Sequence, residues 1–187
     1  MRTLFLSLVL AGTLPVILLA QGTTYPPLSV GTPAPDFSLS FATRDSIGSG
    51  EMTLAEFHEK QIVILLFFPA AWSGGCTKEV CTFRDNFSAM DSLGAEILAV
   101  SGDYPYTQFE WAKHHNLPFT LLSDNRHRVA PLYHSYNESS GYNKRTVYVI
   151  DKQGKIAYID LAYSTKDLTS FEKLREAVTL IKTSEIN

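Results

Sequence analysis

Residues 62–76 read IVILLFFPAAWSGGC, from Ile62 to Cys76, and this stretch decides the fold. Its first seven residues form an unbroken apolar run rich in β-branched and aromatic side chains. A run that short predicts a central strand buried on both faces. Pro69 stops it, and AAWSGG follows as a tight loop. From Thr77 to Met90, Val80, Phe83, Phe87 and Met90 fall on one helical stripe. Strand, loop and amphipathic helix make an α/β unit. Its loop lies beyond the carboxyl end of a central strand, where open α/β sheets bind their ligands.

Working towards the N-terminus, residues 53–58 predict a short helix capped by Thr53, residues 46–50 a Gly/Ser turn, and Phe37–Phe41 a short strand. Towards the C-terminus, strands are predicted over Glu96–Ser101 and Phe119–Leu122, and helices over Thr107–His115 and Asn125–Tyr133. Thr146–Asp151 alternates as a strand, Lys152–Gly154 turns, and Lys155–Leu161 returns as its hairpin partner. A last amphipathic helix spans Asp167–Ile181. This order predicts an α/β domain: a central mixed sheet with helices on both faces and one antiparallel edge.

The chain has 187 residues, enough for one domain with a real core, and its 45% hydrophobic and 19% charged residues are globular proportions. A formal charge of -3 gives no electrostatic case for nucleic acid or an anionic membrane. Residues 1–22 differ from the rest: Arg2 is the only charge before an apolar run broken by Pro15. They predict a secretory signal, with cleavage after Gly22, and hence an exported protein, periplasmic or secreted. An uncleaved membrane anchor is the alternative. Residues 23–30 then read as a linker and 31–187 as the folded domain.

Only two cysteines are present, Cys76 and Cys81. Two thiols five residues apart suggest chemistry rather than a disulfide scaffold. Cys76 falls at the first turn of a predicted helix, where free N–H groups and the helix dipole favour an anion. Thiolate is the nucleophilic form of cysteine. Ser73, three residues earlier, can bring its hydroxyl beside the sulfur, although turn chemistry alone would account for Ser73 and the glycines.

The motif PxxxSGGCTKEVC followed by FRD, then KRTVYVIDKQGKI, and VGTPAPDFSL near the start, resembles the peroxiredoxins (AhpC/TSA family). The similarity is closest to the bacterioferritin comigratory protein (PrxQ) branch and runs from about Val30 to the end. It implies a thioredoxin-like fold and a thiol peroxidase that needs no metal or other cofactor. It implies Cys76 as the thiol that attacks peroxide and Cys81 as the one that resolves the sulfenic acid in an intramolecular disulfide. Ser73 would bind the peroxide oxygen, Pro69 shield the sulfur, and Gly75 leave the backbone open to substrate. Arg145 would stabilise the thiolate and Glu79 orient that arginine. Arg84 could pair with Asp85, with Glu79 or with the site itself, and is a candidate only for a supporting contact. A thioredoxin-like protein is the implied reductant, and an internal disulfide suits a monomer. Gly74 departs from the family, which usually has Pro there, so a looser loop is expected.

Three rival readings stay open at this level. WSGGC has the outline of a thioredoxin WCxxC site, but Ser73 stands where the attacking cysteine belongs. Metal handling lacks a ligand pattern, since His114 and His115 are adjacent and face different ways. A binding module could use Trp111, Tyr104 and Tyr106, although aromatics at such positions usually join a core.

Overall fold

The computed structural model describes residues 25–164 and 166–184. The predicted signal over 1–22 lies outside them. The strands are β1 Ser38–Ala42, β2 Ile47–Thr53, β3 Ile62–Phe67, β4 Ala95–Ser101, β5 Thr120–Ser123, β6 Tyr136–Asn137, β7 Tyr142–Asn143, β8 Thr146–Ile150 and β9 Ile156–Asp160. The helices are α1 Gly74–Asp85, α2 Phe87–Ser92, α3 Pro105–His115 and α4 Leu168–Ser184, with a 3-10 turn at Leu54–Phe57.

Seven strands form one mixed sheet in the order β2-β1-β5-β4-β3-β8-β9. β3, β4 and β5 run parallel. β1 and β8 join that core antiparallel on either side, so both edges are antiparallel where one was expected. Every residue of β3 is buried, which is why its sequence is continuously apolar.

Alternate β3 residues point to two separate clusters. Ile62, Ile64 and Leu66 face Val80 and Phe83 of α1, Met90 of α2, Trp111 of α3 and Leu174 of α4. Val63, Leu65 and Phe67 face Leu54, Val129, Tyr133, Tyr148 and Ile156. All four helices therefore contribute to one cluster. The other face is covered by the 3-10 turn, the chain around 129–133 and, near the N-terminus, Leu28 and Phe37. The expectation of helices on both faces is corrected here. Residues 25–30, read as linker, contact the domain through Leu28 and through Pro26, whose carbonyl lies 2.9 Å from His134 Nε2.

Three local expectations change. Residues 47–50 extend as part of edge strand β2, and the chain reverses earlier, where Thr43 N–H bonds the Ser46 carbonyl at 2.8 Å. Gly48 of β2 fits because the Phe41 ring lies over it, where a side chain would collide, whereas Gly50 meets nothing within 4 Å. The helix expected over Asn125–Tyr133 is absent, and these residues form successive turns. Buried Asp124 takes the amides of Arg128, Val129 and Ala130 on its two carboxylate oxygens, so they make no helical ladder. The helix expected over Thr77–Met90 starts three residues earlier and breaks at Asn86, whose amide side chain bonds the Thr82 carbonyl at 2.8 Å.

Candidate active site

The loop after β3 and the residue before β8 meet because these strands pair antiparallel. Phe67, the last residue of β3, lies opposite Thr146, the first of β8. Arg145 is thereby delivered to the end of the sheet where the loop of residues 69–76 turns into α1.

Ser73 is the N-cap of α1, with extended backbone, so Gly74, Gly75 and Cys76 form its first turn. The Ser73 hydroxyl accepts from the Cys76 amide at 3.4 Å and donates to the Ala70 carbonyl at 3.2 Å. Cys76 is wholly buried, with a free thiol. The Arg145 guanidinium donates through Nη1 to the Cys76 sulfur at 3.4 Å and to Glu79 Oε2 in a close ion pair. Partial burial works against the charge of Arg145, but Glu79 and Cys76 more than offset it and its pKa rises. Glu79 is almost completely buried, and desolvation pushes its pKa up to about 7 against the pull of Arg145. Its second oxygen, Oε1, is buried with no hydrogen-bond partner among the described residues.

Gly75 has a specific steric reason. A Cβ built there would stand 2.8 Å from Arg145 Nη2, so any side chain would push the guanidinium off its position. Gly74 meets nothing within 4 Å. It occupies the first helical position, where Pro is well suited because its missing N–H is not needed. Pro69 is half-buried just after β3.

The structure thus brings together Ser73, Gly75, Cys76, Glu79 and Arg145. It keeps Arg84 apart. That side chain pairs with Asp85 at 2.8 Å and donates to the His115 carbonyl at 2.9 Å, tying α1 to the end of α3. Of the partners read for Arg84, Asp85 is the one it takes, and the supporting contact to the site is replaced by a brace between helices. Cys81 is half-buried on the same helix and belongs to neither apolar cluster. With both thiols free and five helical residues apart, their Cα atoms are roughly 8 to 9 Å apart. A disulfide needs less than about 7 Å.

Sequence reasoning missed three supports. Asp103 accepts the Ala71 amide at 2.7 Å and the Ser101 hydroxyl at 2.8 Å, anchoring the loop to the end of β4. Its signal was legible as a Gly102-Asp103 turn at the carboxyl end of a neighbouring strand. Trp72 holds a left-handed backbone, φ 63°, and packs its ring 5.3 Å from His114. Tyr163 packs on Phe83 at 5.8 Å, and burial together with the nearby Glu79 raises its pKa. Trp72 is marked only as part of WSGGC, and nothing in the local sequence marks Tyr163. Of the three aromatics considered for a binding patch, Trp111 is core, whereas Tyr104 and Tyr106 are 64% and 73% exposed, against the expectation that they pack inside.

Residues 30–159 match the family model described as the AhpC/TSA family. The chloroplastic peroxiredoxin Q of Oryza sativa subsp. japonica is 37% identical over 133 residues, 71% of this chain and 58% of that protein. The chloroplastic peroxiredoxin Q of Sedum lineare is 32% identical over 142 residues, 75% of this chain and 73% of that protein. The match to the rice protein and to several other chloroplastic relatives spans less than two thirds of their length. Among solved structures, the reduced 2-Cys peroxiredoxin of Plasmodium vivax superposes with a TM-score of 0.75 at 25% identity, over 84% of this chain and 99% of that one. Peroxidoxin BcpB of Mycobacterium tuberculosis gives 0.73 at 26% identity, over 83% and 99%.

Proposed function

The chain belongs to the AhpC/TSA family, and from that premise we propose that it is a thiol peroxidase acting on hydrogen peroxide and organic hydroperoxides. The observation that carries this reading is the Arg145 guanidinium 3.4 Å from the buried sulfur of Cys76 in the first turn of α1.

The Cys76 thiolate attacks the terminal peroxide oxygen in line with the O–O bond. A new S–O bond forms, the O–O bond breaks, and water or an alcohol leaves once protonated. Arg145 supplies fixed positive charge where charge builds up on the departing oxygen. The Ser73 hydroxyl, at hydrogen-bond range of the Cys76 amide, is placed to hold the peroxide. Cys76 is left as a sulfenic acid. Cys81 condenses with it, releasing water and forming a disulfide. Because the folded helix keeps the two sulfurs too far apart, the first turns of α1 unwind during this step. A thioredoxin-like protein then reduces the disulfide. Pairing within one chain suits a monomer, and residues 1–22 suit export as a cleaved signal.

The test mixes the reduced protein, starting near Thr23, with one equivalent of hydrogen peroxide and follows intact mass and free thiols. The expected outcome is rapid loss of both thiols and of two hydrogens in mass, with none of this in Cys76→Ser. Oxidation no faster than that of an ordinary exposed thiol would overturn the assignment.

A further inference from the structure

The site contains one guanidinium and two acids. Arg145 Nη1 faces both the Cys76 sulfur and the Glu79 carboxylate, and Glu79 is wholly enclosed by protein. Buried charge is tolerated when it is balanced. One cation balances one anion, so a thiolate and a carboxylate together would leave an unmatched negative charge out of water. Arg145 is the cation that pairs with Glu79 and acts on its charge. Tyr163, from the segment after β9, contributes a neutral phenol beside Glu79. The Oε1 atom of Glu79 has no donor to satisfy it, as a full carboxylate would require. The raised carboxyl pKa points the same way, with desolvation as its largest cause.

We propose that Cys76 and Glu79 share a single proton across Arg145, so that Glu79 takes up the proton when Cys76 becomes the thiolate and gives it back to the reaction when that sulfur is oxidised. This deepens the peroxidase reading and rests on it. In the first step the thiol and the carboxylate become thiolate and carboxylic acid, with no change of oxidation state. In the second, thiolate, hydroperoxide and carboxylic acid become sulfenic acid, alcohol and carboxylate. Sulfur loses two electrons, the O–O bond gains them, and the alkoxide's proton is the one Glu79 releases. Glu79 then pairs with Arg145 alone. Its role exceeds the orienting of that arginine.

The two roles predict opposite signs. If Glu79 only orients Arg145, Glu79→Gln loosens the guanidinium and the thiolate becomes scarcer. If the proton is shared, Glu79→Gln removes the competing anion and the thiolate becomes more abundant. Cys76 is titrated by its rate of alkylation with iodoacetamide and by thiolate ultraviolet absorbance, in the Cys81→Ser background. Neither readout needs peroxide turnover, so failure here is separable from failure of the peroxidase reading. The expected result is alkylation about tenfold faster in Glu79→Gln at about pH 6, where a carboxylate neighbour competes most. An unchanged or slower rate overturns the proposal.

A second measurement keeps Glu79 in place. The reduced Cys81→Ser protein, at a pH where absorbance reports the thiolate, receives one equivalent of hydrogen peroxide in weak buffer with a pH indicator. A shared proton predicts no uptake from solvent as the sulfenic acid forms. Uptake of one proton per Cys76 overturns it.

Discussion

In the first turn of α1, Cys76 is enclosed by the core that contains Phe68 and Val80, and faces Arg145. Five residues on, Cys81 is half-buried, outside both apolar clusters, close enough to Arg84 to influence its charge. The two positions share one helix and one functional group, yet differ in what surrounds them. Cys76 stands at the helix terminus with a guanidinium on its sulfur. Cys81 lies beyond the reach of the helix N-terminus, whose effect fades within a turn. The lesson is a division of labour: one sulfur is held by its surroundings, and the other must be brought to it by local unwinding.

The comparison breaks most severely at Cys81 itself. Cys81→Ser is expected to abolish turnover with a thioredoxin-type donor while leaving the first oxidation of Cys76 within about twofold, since the group is outside the site. Stopped-flow oxidation followed by a coupled cycling assay separates the two steps. Normal cycling in this variant would make Cys81 a packing residue and assign resolution to an external thiol.

Next in size is Arg145→Met. Loss of the cation that faces the sulfur is expected to slow the first oxidation by about 10²- to 10³-fold, with disulfide formation from any sulfenic acid less affected. A peroxide-reaction rate near that of the unsubstituted protein would place the charge stabilisation elsewhere, in the helix terminus alone.

The smallest expected effect is at the brace. Arg84→Gln removes the hydrogen bond to the His115 carbonyl and the pair with Asp85. A charged hydrogen bond of about 1.5 kcal/mol corresponds to roughly tenfold at most, so disulfide formation is expected to quicken several-fold while the first oxidation stays unchanged. Slower disulfide formation would mean that the brace positions Cys81 rather than restraining α1.

The central strand, its loop and the amphipathic helix behind it were legible because burial on both faces leaves a continuous apolar run, and a helix on one face leaves a stripe. Thr53 was readable as a cap, and in the structure its N–H and hydroxyl both donate to Glu56 Oε1. The helix read over 125–133 failed because Asp124, a single buried carboxylate, captures three amides that local propensity would have given to a helix. The turn read at 46–50 failed because pairing with β1 overrode two glycines. The resemblance carried by the motifs around Cys76 and before β8 implied that Ser73, Gly75, Cys76, Glu79 and Arg145 share one site, and the geometry brings them together. For Arg84 it left Asp85, Glu79 and the site itself open as partners, because a helix surface charge one turn from Val80 has no sequence mark for the direction it takes.

By itself the sequence determined that a thiol would stand at a helix start beyond a buried strand, since apolar period, Pro69, the glycines and Ser73 are all local signals. Local pattern does not join Arg145 to that thiol: the resemblance implied the pairing, and the tertiary structure supplies the contact across 69 residues and shows one cation facing two acids. The reason is physical. Local pattern encodes which face of each element seeks the core, whereas the antiparallel register of β8 on β3 sets which ends meet, and that register is settled by packing of the whole sheet.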